Sequence, residues 1–158
     1  MLYGSHATNL CLPWSDIDVV LVPKPNTPIM NQNGINGNNI LLSQLYENIR
    51  IQRWVKETKF IRNASIPIIK VFCVDSLNDM SIDISIKDEK HFGLKCVQLV
   101  KSFLQKYESL KPLVLTLKNI LKRANLNDPY KGGLSSYGLI LMIVYFILLI
   151  RLSQLMNI

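Results

Sequence analysis

The sequence predicts an α+β fold, with a mixed sheet and covering helices first and an all-helical region after it. A run of β-branched residues from Ile17 to Val22 is typical of a strand. Strict alternation of apolar and polar residues from Ser81 to Ile86 predicts another strand, with one face in the core. From His91 onward, apolar residues recur at helical spacing instead. We therefore expect a sheet-based domain at residues 1–90 and a helical domain at residues 91–158.

Composition narrows the class of protein. The 158 residues suffice for one domain with a core, or for a piece of a larger protein. The net charge of +7 favours a polyanionic partner, either nucleic acid or an anionic membrane, although some soluble proteins are basic without one. The three cysteines form no C-x-x-C pair and are odd in number, so we expect reduced thiols inside the cell. Residues 1–22 carry no secretory signal.

The remaining sheet elements follow in order along the chain. Residues 23–39 are rich in Pro, Asn and Gly, which predicts an exposed and disordered insertion. Leucines at helical spacing predict an amphipathic helix over Ile40 to Arg53. Two strands are predicted at Lys59 to Asn63 and at Ile66 to Val74, and Asn78-Asp79 marks a turn before the alternating strand.

Three helices are predicted in the C-terminal part. The first runs from Phe92 to Tyr107 with one apolar face. Pro112 opens the second, which continues to Asn125. The segment from Tyr137 to Ile150 is strongly apolar but short for a membrane span, so we expect a buried helix and no span.

The candidate catalytic residues begin with a pair of carboxylates. Asp16 and Asp18 project from one face of the first strand, because residues two apart on a strand share a face. Such a pair repels unless a cation lies between the two groups, and hard oxygen ligands suit Mg²⁺ or Mn²⁺. Gly4 and Ser5 predict a tight turn whose exposed donors suit a phosphate. Each signal is weak alone, since D-x-D and Gly-Ser both occur often by chance.

Asp83 is a third candidate. It stands in the middle of the alternating strand, a position from which Asp is normally depleted. A cation shared with Asp16 and Asp18 would explain it. The other aspartates of this region lie in predicted turns or loops, where Asp is common: Asp75, Asp79 and Asp88.

Four residues of the helical region are candidates for nucleotide contacts. Lys118 and Lys122 lie at i and i+4 and so share one helix face. A solvated surface is the ordinary explanation for such a pair, while the apolar neighbours of Lys118 favour a cleft. Ser136 and Tyr137 lie at the start of the last helix, where free N–H groups and a ring suit a phosphate and a base. A Ser N-cap with a core Tyr would explain the same two residues.

Five motifs occur together in a particular order. They are Gly4-Ser5 followed after ten residues by Asp16-Ile17-Asp18, then Ile66-Pro67-Ile68-Ile69-Lys70, Ser81-Ile82-Asp83-Ile84-Ser85, Leu110-Lys111-Pro112-Leu113-Val114-Leu115, and Pro129-Tyr130-Lys131-Gly132-Gly133-Leu134-Ser135-Ser136-Tyr137. This set resembles the terminal nucleotidyltransferases of the polymerase β superfamily. It is most similar to the Trf-type poly(A) polymerases, with the terminal uridylyltransferases next. The resemblance covers nearly the whole chain apart from residues 23–39.

The resemblance implies a polymerase β-like nucleotidyltransferase palm at residues 1–90 and a partial helical central domain at residues 91–158. It implies roles for the candidate residues that follow the family position by position. Gly4 and Ser5 would hold the nucleotide phosphates, Asp16, Asp18 and Asp83 would bind two metal ions, Lys118 and Lys122 would contact the triphosphate, Ser136 a phosphate, and Tyr137 the base.

The implied activity is template-independent transfer of AMP from ATP to RNA 3′ ends, with two Mg²⁺ or Mn²⁺ ions, as in polyadenylation. Terminal uridylyl transfer, a non-catalytic RNA-binding remnant and, less favoured, transfer to a small molecule are the alternatives. The implied partners are RNA 3′ ends, a nucleoside triphosphate, and RNA-binding or helicase proteins. The implied location is intracellular, with the nucleus preferred over the cytoplasm.

Two features depart from the family pattern. Phe92-Gly93 stands where many relatives have Asn-Gly, whose Asn positions the nucleotide. The family pattern also includes a helix ahead of the Gly-Ser turn and a later helical stretch with a base-selecting loop, and we expect neither within these 158 residues. We therefore expect a truncated chain in which the apolar face over Leu139 to Ile150 is uncovered and promotes aggregation. A soluble monomer with a sharp thermal transition would contradict this expectation.

Overall fold

The computed structural model contains two compact units, Met1–Val97 and Gln98–Ile158. Four stretches of chain are described: residues 1–23, 35–74, 80–87 and 91–156. Several sequence predictions lie outside the described residues, namely most of the insertion at 23–39, the turn at Asn78-Asp79, and the loop positions of Asp75, Asp79 and Asp88.

The first unit is built on a five-stranded sheet. In chain order its strands are β1 (Leu2–Tyr3), β2 (Ile17–Leu21), β3 (Val55–Ile61), β4 (Ile68–Cys73) and β5 (Ser81–Ile86). Their order across the sheet is β1-β2-β5-β4-β3. The β2–β5 pair is parallel and the other pairs are antiparallel, so the predicted mixed sheet is confirmed.

One face of this sheet forms the core of the unit with helix α2 (Ile35–Ile49). Alternate residues of β4 and β5 point to this face because successive side chains of a strand lie on opposite sides. The alternation predicted in β5 is therefore confirmed, with its isoleucines on the core side. The buried residues of the cluster come from the helix and both strands: Leu42, Ile49, Ile69, Val71, Ile84 and Ile86.

Two boundaries differ from the sequence prediction. Helix α2 spans Ile35–Ile49 and so begins and ends before the predicted Ile40 to Arg53. Strand β3 begins at Val55, although a strand was expected only from Lys59. β3 is an edge strand, with charged side chains exposed to solvent and a register irregularity between Val55 and Glu57. A strand of this kind lacks the apolar alternation by which strands are recognised in a sequence.

Helices dominate the rest of the chain. They are α3 (Gly93–Lys106), α4 (Leu110–Arg123) and α5 (Ser136–Leu155), with a single 3-10 turn at Pro129–Lys131. Pro112 is the third residue of α4 rather than its start. A proline is tolerated there because the first N–H groups of a helix have no intrahelical acceptor. Residues of α4 and α5 are buried along one face of each helix: Leu110, Val114, Leu139, Ile140, Ile143, Val144 and Ile147.

Helix α5 has 20 residues and is longer than the predicted segment. By length and composition alone, this helix could cross a membrane, so the prediction that the segment is short for a membrane span was wrong. A single helix of this kind is weak evidence for a span, since core helices of soluble proteins meet the same criteria. The prediction of a buried helix holds for one face only, because Met142, Tyr145 and Phe146 are more than half exposed.

The packing of the first unit predicts a large cost for truncating a core side chain. Ile69 in β4 is fully buried, whereas Ile61 at the end of β3 is 44% exposed. Ile69→Ala should lower the free energy of unfolding by about 3 kcal/mol, because it removes buried apolar contacts and leaves a cavity. Ile61→Ala should lower it by less than about 1 kcal/mol. Denaturant titration of both variants checks this, and similar losses would contradict the assigned core face.

Candidate active site

The sheet face opposite α2 carries a row of charged side chains. Strand register places Asp18 beside Asp83, Asp83 beside Lys70, and Lys70 beside Lys59. Residues directly opposite each other on neighbouring strands share a face, so two acids are followed by two bases across the sheet. The basic end is open to solvent, where Lys59 pairs with Glu57 at 3.2 Å between Nζ and Oε1.

Lys70 connects carboxylates from two separate segments of the chain. Its Nζ donates a hydrogen bond of 2.7 Å to Asp16 Oδ2 and lies 3.2 Å from Asp83 Oδ1. The Ser81 hydroxyl donates a hydrogen bond to the other oxygen of Asp16. Burial alone would lower the pKa of Lys70, but the hydrogen bond to Asp16 and the charges of Asp83 and Asp16 outweigh burial and raise it. The ammonium is therefore held in its charged form.

Three carboxylates, those of Asp16, Asp18 and Asp83, share the positive charge of Lys70. Burial, followed by the charges of Asp83 and Asp16, raises the pKa of Asp18 to about 6, against the opposing charges of Lys70 and His6. Burial also raises the pKa of Asp83, although Lys70 lowers it in part. These shifts have the direction expected for like charges that share a partly buried site. The structure thus places Asp16, Asp18 and Asp83 close enough for their charges to act on one another, and the cation that they would share stays a prediction.

Gly4 lies directly against this cluster. It begins the one-turn helix α1 (Gly4–Ala7) with a φ of +63°, a left-handed conformation that favours glycine. A Cβ at Gly4 would collide with the Asp18 carboxylate. The turn is fixed by the Thr8 hydroxyl, which donates to the carbonyl oxygens of Gly4 and Ser5 at 3.1 Å each. The Gly-Ser turn predicted from the sequence is therefore beside the carboxylates.

A buried contact behind the turn anchors the first strand. The rings of Tyr3 and His91 meet edge to face with centroids 4.8 Å apart. His91 Nε2 is hydrogen-bonded to the Ser85 hydroxyl at 3.1 Å. A Cβ at Gly93 would meet the rings of Tyr3 and His91 at 2.7 and 2.8 Å, so only glycine fits there without a shift. These contacts tie β1 and the start of α3 to the strand that carries Asp83.

The donor set of the cluster fits a divalent cation. Carboxylate oxygens are the ligands that Mg²⁺ and Mn²⁺ prefer. Asp83 Oδ1 is buried and accepts no hydrogen bond from the described residues. Within the described ranges, no three acidic, imidazole or thiol groups form a metal-binding group, and Lys70 lies between Asp16 and Asp83. The residue types therefore suit a metal site, and the Lys70 ammonium lies between two of its carboxylates.

Two of the predicted nucleotide contacts are lysines of α4. Lys118 and Lys122 lie one helical turn apart, as the spacing predicts. Lys118 is half-buried and has interactions of its own, whereas Lys122 is exposed. Lys118 is therefore less accessible than a solvated surface lysine, in line with its apolar neighbours.

The other two predicted nucleotide contacts, Ser136 and Tyr137, lie at the start of α5. The N-cap is Ser135, whose hydroxyl accepts a hydrogen bond of 3.0 Å from Gly138 N. Ser136 is therefore not the cap, and its side chain is exposed. Tyr137 is 37% exposed and so is not a core residue. The ordinary explanation for this stretch, a serine cap with a core tyrosine, is confirmed for the cap, which is Ser135, and is wrong for the tyrosine.

Sequence reasoning did not assign a role to Lys70. The signal that could have identified it is a charged residue in the middle of an otherwise apolar strand, Ile66 to Cys73. The same signal identified Asp83 on the neighbouring strand. Only the register of β4 against β5 shows that the two residues are direct partners.

The raised pKa of Asp18 predicts a dependence of stability on pH. Its folded value of about 6 exceeds the ordinary 3.8, so the folded protein binds this proton more tightly than the unfolded chain does. Asp18 therefore reduces stability above pH 6, and that cost disappears as the pH falls towards 3.8.

In a metal chelator, Asp18→Asn should raise the melting temperature above pH 6, and the gain should shrink as the pH falls towards 3.8. Thermal melts across this range check the prediction. Glu57→Gln removes an exposed carboxylate of the same sheet and controls for the loss of one negative charge. An Asp18→Asn protein less stable than the parent chain at every pH would contradict it.

Comparison with known proteins connects this site to a family. The family described as "Poly(A) RNA polymerase, mitochondrial-like, central palm domain" matches residues 1–105. Poly(A) RNA polymerase cid14 of Schizosaccharomyces pombe is 34% identical over 146 residues, which cover 92% of this chain and 20% of that protein.

Two solved structures extend the comparison to the fold. The polymerase core of TRAMP, an RNA surveillance complex, has a TM-score of 0.74 at 27% identity, covering 92% of this chain and 42% of that one. The Cid1 poly(U) polymerase with Mg and 3′-dATP bound has a TM-score of 0.71 at 29% identity, covering 92% and 41%. The chain thus spans less than half the length of these proteins.

The resemblance to Trf-type poly(A) polymerases and terminal uridylyltransferases, drawn from five motifs, is confirmed by these matches. So is the polymerase β-like nucleotidyltransferase fold, because both structural neighbours share the mixed sheet and its helices. The chain belongs to the mitochondrial-like poly(A) RNA polymerase family, whose central palm domain matches residues 1–105.

Proposed function

We propose that this chain carries the palm, at residues 1–90, and part of the helical central domain, at residues 91–158, of a template-independent RNA 3′-terminal nucleotidyltransferase. The observation that carries the proposal is the convergence of Asp16, Asp18 and Asp83 beside the Gly4 turn. Similarity to a poly(A) RNA polymerase and to RNA surveillance and poly(U) polymerase structures supports RNA as the substrate.

The proposed reaction joins the RNA 3′ oxygen to the α-phosphorus of ATP and breaks the bond between that phosphorus and the pyrophosphate oxygen. The 3′-hydroxyl loses its proton, and pyrophosphate leaves. Two Mg²⁺ or Mn²⁺ ions, when bound by Asp16, Asp18 and Asp83, would supply Lewis acidity and neutralise charge. Asp83 is assigned to the hydroxyl side, where its carboxylate favours loss of the proton.

Each unit, considered by itself, carries residues that are candidates for contacts to the nucleotide. Gly4 and Ser5 would offer backbone and hydroxyl donors from the turn beside Asp18. Lys118 and Lys122 would contact the phosphates through their ammonium groups, which stabilise negative charge. Exposure of Ser136 and Tyr137 at the start of α5 supports contacts to a phosphate and to the base.

The partners proposed are RNA 3′ ends, a nucleoside triphosphate, and RNA-binding or helicase proteins. The net charge of +7 supports a polyanionic substrate. We place the protein inside the cell, in the nucleus in preference to the cytoplasm. Cys11, Cys73 and Cys96 are free thiols, which supports a reducing compartment.

Terminal uridylyl transfer is the second candidate function. Similarity to the Cid1 poly(U) polymerase favours it, and the palm residues serve either nucleotide equally. Extension of a labelled RNA primer with each of the four nucleoside triphosphates separates the two functions. We expect ATP to be incorporated faster than UTP, and a preference for UTP would replace the adenylyl assignment with the uridylyl one.

The metal site predicts a strict requirement for its carboxylates. Asp83→Asn should reduce metal-dependent incorporation by about a hundredfold or more, since it removes a charge that acts on the reacting groups. A chelator should abolish incorporation by the parent chain. Glu57→Gln, an exposed carboxylate on β3, is the matched control and should keep parental rates. Primer extension measures both, and full activity in Asp83→Asn would refute the site.

A further inference from the structure

Lys70 forms salt bridges with two of the carboxylates that are proposed to bind metal ions. Its side chain is 24% exposed and projects from the middle of β4 between Asp16 and Asp83, whose side chains are 43% and 17% exposed. The ring of Phe72, two residues along the same strand, lies 6.0 Å from the ammonium. The Lys70 ammonium, which carries one positive charge, thus lies between two carboxylates that are proposed to bind divalent ions.

The two carboxylates are engaged differently. Both oxygens of Asp16 accept hydrogen bonds, one from Ser81 and one from Lys70. Asp83 Oδ2 accepts a longer hydrogen bond of 3.5 Å from the same ammonium, and Oδ1, which lies 3.2 Å from it, accepts none within the described part of the chain. An ion that enters this cluster can use Asp83 Oδ1 without displacing a hydrogen bond, but it must take an oxygen of Asp16 from a donor. Lys70 is the donor that the charge of the ion would repel.

We propose that Lys70 is a built-in counter-ion, which holds Asp16 and Asp83 in place before a divalent ion binds and releases Asp16 when the ion arrives. The inference rests on the metal site of the proposed function. It makes Lys70 a positioning residue, because it acts on the carboxylates and not on the substrate. Without it, the carboxylates of Asp16 and Asp83 would repel and turn apart in the metal-free protein.

Two opposite effects follow from removing this charge. The metal-free protein loses the cation that balances its carboxylates, so it becomes less stable. The divalent ion loses a competitor of like charge, so it binds more tightly. A residue that served only as a structural brace would show the first effect without the second.

The test is a Mn²⁺ titration of the full chain, with free Mn²⁺ followed by electron paramagnetic resonance, together with thermal melts in chelator and in saturating Mn²⁺. Lys70→Met should bind Mn²⁺ about tenfold more tightly than the parent chain. It should also melt lower in chelator and gain more in melting temperature from Mn²⁺. Lys70→Arg keeps the charge and should keep the parental affinity.

Lys59→Met is the matched control, because Lys59 is the cross-strand neighbour of Lys70 on the same sheet face and contacts neither Asp16 nor Asp83. It should leave Mn²⁺ affinity near the parental value. Parental or weaker affinity in Lys70→Met overturns the counter-ion role, and absence of Mn²⁺ binding in every variant overturns it together with the metal site. A third outcome separates the two proposals. If Lys70→Met binds Mn²⁺ more tightly but the parent chain incorporates no nucleotide, the proposed function is refuted and the role of Lys70 is supported.

Discussion

The parallel pairing of β2 with β5 is the constraint on which the rest of the first unit depends. It sets Asp18 directly beside Asp83, an arrangement of like charges that costs free energy unless something balances it. The antiparallel pairing of β4 with β5 supplies the balance by placing Lys70 opposite Asp83. Shifting either register by one residue would turn these groups to the core face, where α2 packs. The apolar residues of the core face therefore fix the register of the charged residues on the other.

The surrounding chain is adapted to this crowded face. Gly4 permits the Gly-Ser turn to lie against Asp18, where any side chain would collide with the carboxylate. The turn is held from behind by Tyr3, which packs on His91, and His91 is hydrogen-bonded to Ser85 on the strand of Asp83. The Gly-Ser turn and the strand of Asp83 are thus connected through the contacts of Tyr3, His91 and Ser85. These contacts support carboxylates that repel one another, as expected for a site that would stabilise charge during a reaction.

Family membership and local chemistry answer different questions. The match over residues 1–105 shows which fold and family the chain has, while its relatives include both a poly(A) and a poly(U) polymerase. The roles proposed for the carboxylates and the Gly-Ser turn concern the phosphates, which every nucleoside triphosphate shares. They therefore support nucleotidyl transfer as a reaction class and do not distinguish between the bases. Base choice depends on groups that contact the base itself, such as the ring proposed at Tyr137.

The sequence by itself determined the class of fold, most strands and helices, and the residues that now carry the proposal. Asp83 was found because Asp is depleted from strands, and Gly4 because a residue without a Cβ lets a phosphate approach the backbone. These are local signals, and the five ordered motifs combined them into one resemblance. Edge strand β3 escaped detection at its start, because the residues after Val55 include the exposed charged side chains of Lys56, Glu57 and Lys59.

Only the tertiary structure decided which charges meet. Lys70 is 13 residues from Asp83 and 54 from Asp16 in the chain, and no local pattern relates such distant positions. Strand order and register bring them together. Burial, followed by the charges of Asp83 and Asp16, then raises the pKa of Asp18 to about 6, and the charge of Lys70 opposes that rise. The exposed face of α5 was likewise decided by packing, since its sequence is apolar on all sides and contains no polar stripe to mark the solvent.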